Sequence, residues 1–172
     1  MNEQEIKHIL EKQRAYFSSG ATLDVTQRIE ALKKLRAAIL RHEEDIHIAL
    51  RQDLGKSGFE SYMCETGIVL SELSYMIRHT RSFARERRVR TPLAQFHSRS
   101  FQKPSPYGTV LIMSPWNYPF MLTLDPLADA IAAGNTAVLK PSAYSKATSA
   151  IIQTIIRECF DESFACVVTG GR

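Results

Sequence analysis

Cysteine is scarce in this chain of 172 residues: only Cys64, Cys159 and Cys166 occur. An odd number without paired spacing excludes a disulfide framework, and no C-x-x-C pair suggests a metal site. The five histidines, at 8, 42, 47, 79 and 97, form no zinc pattern, and His42 and His47 fall on different faces of a helix. No apolar run approaches the roughly eighteen residues that a membrane-spanning helix needs. The first twenty residues are charged throughout and lack the apolar core of a secretory signal. A cytoplasmic location is therefore expected. Neither G-x-G-x-x-G nor G-x-x-x-x-G-K-[ST] is found, so no standard phosphate loop is present. Tryptophan is limited to one residue, Trp116.

Acidic residues are also rare in one place. Residues 78–103 hold eight Lys or Arg and one acid, Glu86, within an overall net charge of +4. Such a patch fits either a nucleic-acid surface or a solvated helix end, where cations complement the negative end of the helix dipole. No stacking motif or recognition-helix pattern accompanies it, so no nucleic-acid partner is expected.

Otherwise the composition, 44% hydrophobic and 23% charged, is that of a globular domain. Residues 1–90 read as helical. One helix is expected over 3–18, closed by Ser18-Ser19-Gly20. A second starts at Asp24, an N-cap residue with Gln27 three positions on, and continues to a stop at Gly55. Its apolar positions Ile29, Leu32, Leu35, Ile39, Ile46 and Leu50 keep a 3.6-residue period. A third runs from about Gly58 to Arg88, with Phe59, Tyr62, Met63, Val69, Leu73, Met76 and Phe83 on its apolar stripe. These helices suggest a scaffold or an oligomer contact. Residues 91–107, with Pro92, Pro104 and Pro106, read as an extended arm or hairpin.

From residue 108 to 172 the pattern alternates. Residues 109–113 are a buried-type strand. Pro119 suits the first turn of a helix that ends at Gly134-Asn135. Residues 136–140 form a second strand, 145–160 a helix and 164–168 a third strand. The fold class is thus α/β: N-terminal helices and an arm, then β-α-β-α-β as part of a doubly wound parallel, Rossmann-like sheet. Ligands in such sheets bind beyond the strand carboxyl ends. The unusual stretches Ser114-Pro115-Trp116-Asn117-Tyr118-Pro119-Phe120 and Lys140-Pro141-Ser142 both lie there.

Each of these residues admits two roles. Asn117 is a neutral donor able to stabilise an oxyanion without neutralising a thiolate, or a turn residue bonding its own backbone. Trp116 walls a ligand channel or packs in the core. Lys140 binds ribose or phosphate, or extends to water. Ser142 bonds a ligand or caps the next element. Cys166, inside an apolar strand, reads as a small hydrophobe rather than a nucleophile, and Cys64 and Cys159 get the same reading.

The run GTVLIMSPWNYPFMLTLDPLADAIAAGNTAVLKPS resembles the N-terminal cofactor region of the aldehyde dehydrogenase superfamily, and the preceding helices and arm resemble its dimeric, class 3-like branch. That resemblance implies oxidation of an aldehyde substrate to a carboxylic acid with NAD or NADP, through a cysteine thiolate and a glutamate base, in a homodimer. It assigns Asn117 to the oxyanion, Trp116 and the backbone of Met113, Ser114 and Pro115 to the cofactor wall, and Lys140 and Ser142 to the adenosine ribose. A ribose-binding Glu, frequent three residues after the Lys, is replaced by Ala143, which implies tolerance of the NADP 2′-phosphate. The family's nucleophile and base are expected downstream of Arg172. The sequence therefore resembles an N-terminal fragment, catalytically incomplete alone and prone to self-association through an open third strand. The alternative is a non-catalytic remnant or a nucleotide-binding or oligomerisation module.

Overall fold

A computed structural model describes residues 3–170. Its order is α1 (Glu3–Ser18), α2 (Val25–Arg41), α3 (Glu43–Leu54), α4 (Gly58–Ser61), a π-helical turn (Tyr62–Thr66), α5 (Gly67–Phe83), β1 (Arg87–Val89), β2 (Ser100–Gln102), β3 (Thr109–Met113), α6 (Met121–Ala133), β4 (Thr136–Lys140), α7 (Lys146–Cys159) and β5 (Ala165–Val167). The α/β reading holds: β3, β4 and β5 form one parallel sheet in that order, and Met113 pairs with Lys140 at its carboxyl rim.

The two faces of the sheet are covered differently. Ile112, Ala137, Leu139, Ala165 and Val167 point into a large core with α2, α3, α5, α6 and α7. Val138, Cys166 and Val168 face the other way, against Ile9 of α1. From α1, the buried Gln13 donates its amide to the carbonyls of Ala137 and Glu162. The Gly134-Asn135 turn fixes where the sheet begins. Gly134 takes φ +91°, a left-handed conformation that favours glycine. Asn135 Oδ1 accepts from Gly108 N at 3.0 Å, so the start of β3 is locked to the turn before β4.

Several boundaries differ from the sequence reading. The helix expected to run from Asp24 to Gly55 is broken at His42. Asp24 does cap α2, accepting from Thr26 N at 2.8 Å. At His42 the ring contacts Asp45 at 3.1 Å and Glu158 of α7 at 2.9 Å, and α3 turns to pack on α7. Both carboxylates hold the His42 pKa above its ordinary value, Asp45 foremost. The third helix ends at Phe83, and the π turn adds one residue to its winding. A residue inserted into a helix rotates the turns before it by about 100° relative to the turns after it. Phe59, Tyr62 and Met63 therefore face solvent, Ser61, Glu65 and Thr66 face inward, and Phe83 is exposed at the C-terminal end.

The arm is a short antiparallel hairpin of β1 and β2, shifted to residues 87–102, with a 3-10 turn at Leu93–Gln95. The basic residues of 78–103 lie on this hairpin and the end of α5, where Lys103 meets Glu86 at 3.6 Å. The strand β3 is not buried on both faces: Leu111 and Met113 are 61% and 67% exposed, because β3 has β4 on one side only and α1 does not reach over these two side chains. Pro119 precedes α6 by two residues instead of lying in its first turn, and Pro126 sits within the helix at an exposed position.

Candidate functional site

The strand β3 ends at Met113, and the chain then makes the loop 114–120 before entering α6. Ser114 stays with the sheet: its N–H donates to Lys140 O at 3.3 Å, and its buried hydroxyl meets Thr123 Oγ1 at 2.5 Å. The loop tip faces outward. Pro115, Trp116, Asn117 and Tyr118 are all exposed, Trp116 by 56%. The backbone of the tip is nevertheless held. Ser145 Oγ donates to Trp116 O at 3.2 Å, and Lys56 Nζ donates to Asn117 O at 3.1 Å. The Asn117 carboxamide itself makes no hydrogen bond among the described residues, so both its donor and its acceptor are available to a ligand.

Lys140 ends β4 half-buried on the same rim, with Nζ donating to Gly170 O at 3.0 Å. The chain turns at Pro141-Ser142, where Ser142 Oγ accepts from Tyr144 N at 3.2 Å. That bond uses the hydroxyl as an acceptor and leaves its proton free to donate elsewhere. Beyond the turn lies an open cleft of about 430 Å³, lined by Ser142, Ala143, Lys146, Ser149, Gln153 and Gly170, among others. None of the residues lining it is acidic. Lys140 ends β4 beside the exposed Met113, and the loop that carries Asn117 leaves the end of β3 on the same carboxyl rim.

Three charged residues matter here that sequence reasoning passed over. Glu65 of the π turn is fully buried and accepts from Phe120 N at 2.8 Å and Met121 N at 3.2 Å, the first amides of α6. Its other oxygen takes Lys56 Nζ at 2.5 Å, and the same ammonium stands 4.2 Å from the Tyr118 ring centroid. Asp53 of α3 accepts from Ala147 N, Thr148 N and Thr148 Oγ1 at 3.1, 2.7 and 2.8 Å. Both helices that succeed rim loops therefore have their positive ends occupied by carboxylates from the helical layer. In sequence Glu65 and Asp53 look like further charges on wet helix faces, and Lys56 like a charge in the link between two helices.

Cys159 and Cys166 offer no activated thiolate. Burial pushes the Cys159 and Cys166 thiols up to about 11, with Glu158 and Glu162 respectively adding to the effect. Cys64, in the π turn, is half-buried and makes no hydrogen bond among the described residues.

Residues 1–172 match the aldehyde dehydrogenase family over their whole length. The chain is 43% identical, over 92% of its length, to 4,4'-diaponeurosporen-aldehyde dehydrogenase of Staphylococcus aureus, of which it covers 34%. It is 38% identical, over 96% of its length, to the dimeric NADP-preferring aldehyde dehydrogenase of Canis lupus familiaris, of which it covers 37%. Among solved structures, the substrate-bound state of Staphylococcus aureus AldH superposes with a TM-score of 0.95 at 42% identity, covering 99% of this chain and 37% of that one. The chain thus spans about a third of the length of the relatives it matches. With the parallel sheet, the rim loops and these matches in agreement, the chain belongs to the aldehyde dehydrogenase family.

Proposed function

We propose that this chain supplies the oxyanion side and the adenosine side of a site that oxidises an aldehyde to a carboxylic acid with NAD or NADP. The observation that carries this reading is the unpartnered Asn117 carboxamide, presented outward on a loop whose backbone is tied down on both sides. A tetrahedral intermediate formed when a thiolate adds to an aldehyde carries its negative charge on oxygen. A fixed neutral amide donor stabilises that charge, needs no reorganisation and leaves the thiolate ionised.

The residues around the cleft fit the adenosine half of a dinucleotide. Ser142 lines the cleft and Lys140 ends the strand that leads into it, where both would meet ribose hydroxyls, and Met113, Ser114, Pro115 and Trp116 at the end of β3 would supply the cofactor wall. The nicotinamide of the bound cofactor is the hydride acceptor. Ala143 presents no carboxylate, and Lys146 adds a cation to the same cleft, so a 2′-phosphate meets attraction and no repulsion there. Use of NADP follows, in keeping with the NADP-preferring relative. That relative's dimeric state supports a homodimer, and three free thiols suit a cytoplasmic setting.

Aldehyde turnover by the intact enzyme carrying this segment, measured with NAD and with NADP, tests the reading. Asn117→Ala should lower kcat about 10²–10³-fold with cofactor affinity unchanged. An undiminished kcat would remove Asn117 from the chemistry, and a strong preference for NAD would refute the use of NADP.

A further inference from the structure

We infer that Lys56 and Glu65 form a buried clamp that positions the Asn117 loop; the inference rests on the role proposed above for Asn117. Glu65 is 0% exposed and Lys56 7%. Of the other ion pairs among the described residues, none has both partners buried: those of Lys and Arg are exposed and those of His42 are half-buried on the histidine side. Burying two opposite charges stabilises a core no better than an apolar pair of the same volume, since desolvation offsets the attraction. The pair does something an apolar pair cannot. Its two ends hold the loop at four points. Lys56 donates to Asn117 O and lies against the Tyr118 ring, while Glu65 accepts from Phe120 N and Met121 N. Between residues 117 and 121 only Pro119, which has no N–H, is passed over.

The π turn brings the carboxylate to this place. Five residues, Tyr62–Thr66, fill the turn, and both Glu65 and Thr66 are fully buried. The turn needs glycine at its end: a Cβ on Gly67 would stand 2.7 Å from Tyr62 O. A π turn inside a helix is rare and is frequently found at functional sites. Here it aims one carboxylate at the N-terminus of α6 and at Lys56, whose other bond fixes the residue bearing the oxyanion donor. Lys56 and Glu65 are positioning residues: they act on the backbone of the loop and leave the Asn117 side chain free.

Backbone hydrogen exchange and Trp116 fluorescence anisotropy on the 172-residue chain test this. The lone tryptophan lies beside Asn117, so its anisotropy reports the loop tip. The Lys56→Met, Glu65→Leu double variant leaves no unpaired charge and should fold. Protection at Phe120 and Met121 should then fall about tenfold or more, with β4 amides unchanged within about twofold, and the anisotropy should drop. Should that variant not fold, Glu65→Gln takes its place. A carboxamide has one acceptor oxygen where two are needed, so either the amide protection or the anisotropy must fall. A folded variant with neither changed overturns the proposal. Asn117→Ala should alter neither readout, because the clamp holds its carbonyl and not its side chain. The clamp and the oxyanion role therefore fail separately.

Discussion

Replacing Asp53 with alanine should weaken the whole fold through the start of one distant helix. Asp53 receives two backbone amides and one hydroxyl at the N-terminus of α7, all within 3.1 Å. The residue that would ordinarily cap this helix, Ser145, makes no side-chain cap bond and gives its hydroxyl to Trp116 O instead. No local substitute is therefore in place. Losing a cap costs about 0.5–2 kcal/mol, and losing a carboxylate from a positive helix end about 0.3–1 kcal/mol more. Asp53 is half-buried, so water recovers part of this, and a net loss of about 2 kcal/mol is expected. For a chain of this size that lowers Tm by about 4–8 °C. Asp53→Asn retains one acceptor without the charge and should lose roughly half as much. Thermal melts followed by far-UV circular dichroism, paired with urea midpoints, measure both. A shift for Asp53→Ala below about 1 °C would show that the bonds are replaced by solvent and that the cross-helix cap contributes nothing.

Asp125 of α6 supplies a pH test. Burial, and then the charges of Glu72 and Asp129, push its carboxyl up to about 6 from 3.8, and its Oδ1 is buried without a partner. The folded state therefore holds the proton more tightly than the unfolded chain, and stability falls as pH rises through that window. Discounted for a half-exposed group, the loss is roughly 1 kcal/mol, so Asp125→Asn should raise the urea midpoint near neutral pH and leave it unchanged at pH 4; equal effects at both would refute the assignment. Gly134→Ala should destabilise by about 2 kcal/mol or more, since φ is +91° and the new Cβ would stand 2.5 Å from Arg28 Cζ. The displaced guanidinium donates to the carbonyls of Thr22, Leu23 and Ala132, and an unchanged urea midpoint would mean that it moves aside freely.

The parts of the fold written in local pattern were legible. The strands 109–113 and 136–140 and both ends of α1 fall where apolar runs and stop signals place them. Elements shaped by distant partners were not. The break at His42 is tied to Glu158, 116 positions away, and its local sign, the acidic run Glu43-Glu44-Asp45 that suits a helix start, lies inside an unbroken apolar period. The π turn is invisible to a periodicity argument, because a 3.6-residue stripe drawn from Phe59 to Leu73 assumes constant winding. The site divides the same way. Asn117, Trp116 and Lys140 stood out as odd residues at strand ends. Glu65 and Asp53 are ordinary charges in helical runs and Lys56 one in a short link, marked only by their burial or their partners after folding.

The carboxylate of Asp53 meets an amide 95 positions further along the chain. A helix whose first turn is completed by so remote a group gains its last hydrogen bonds only after a long loop has closed, and closing such a loop is an entropic toll collected before any of those bonds form. Assembly of this segment should accordingly be limited by long-range encounter and not by helix growth, which runs in nanoseconds per residue. Capping from afar thus makes the first turn of α7 complete only when α3 has docked on it.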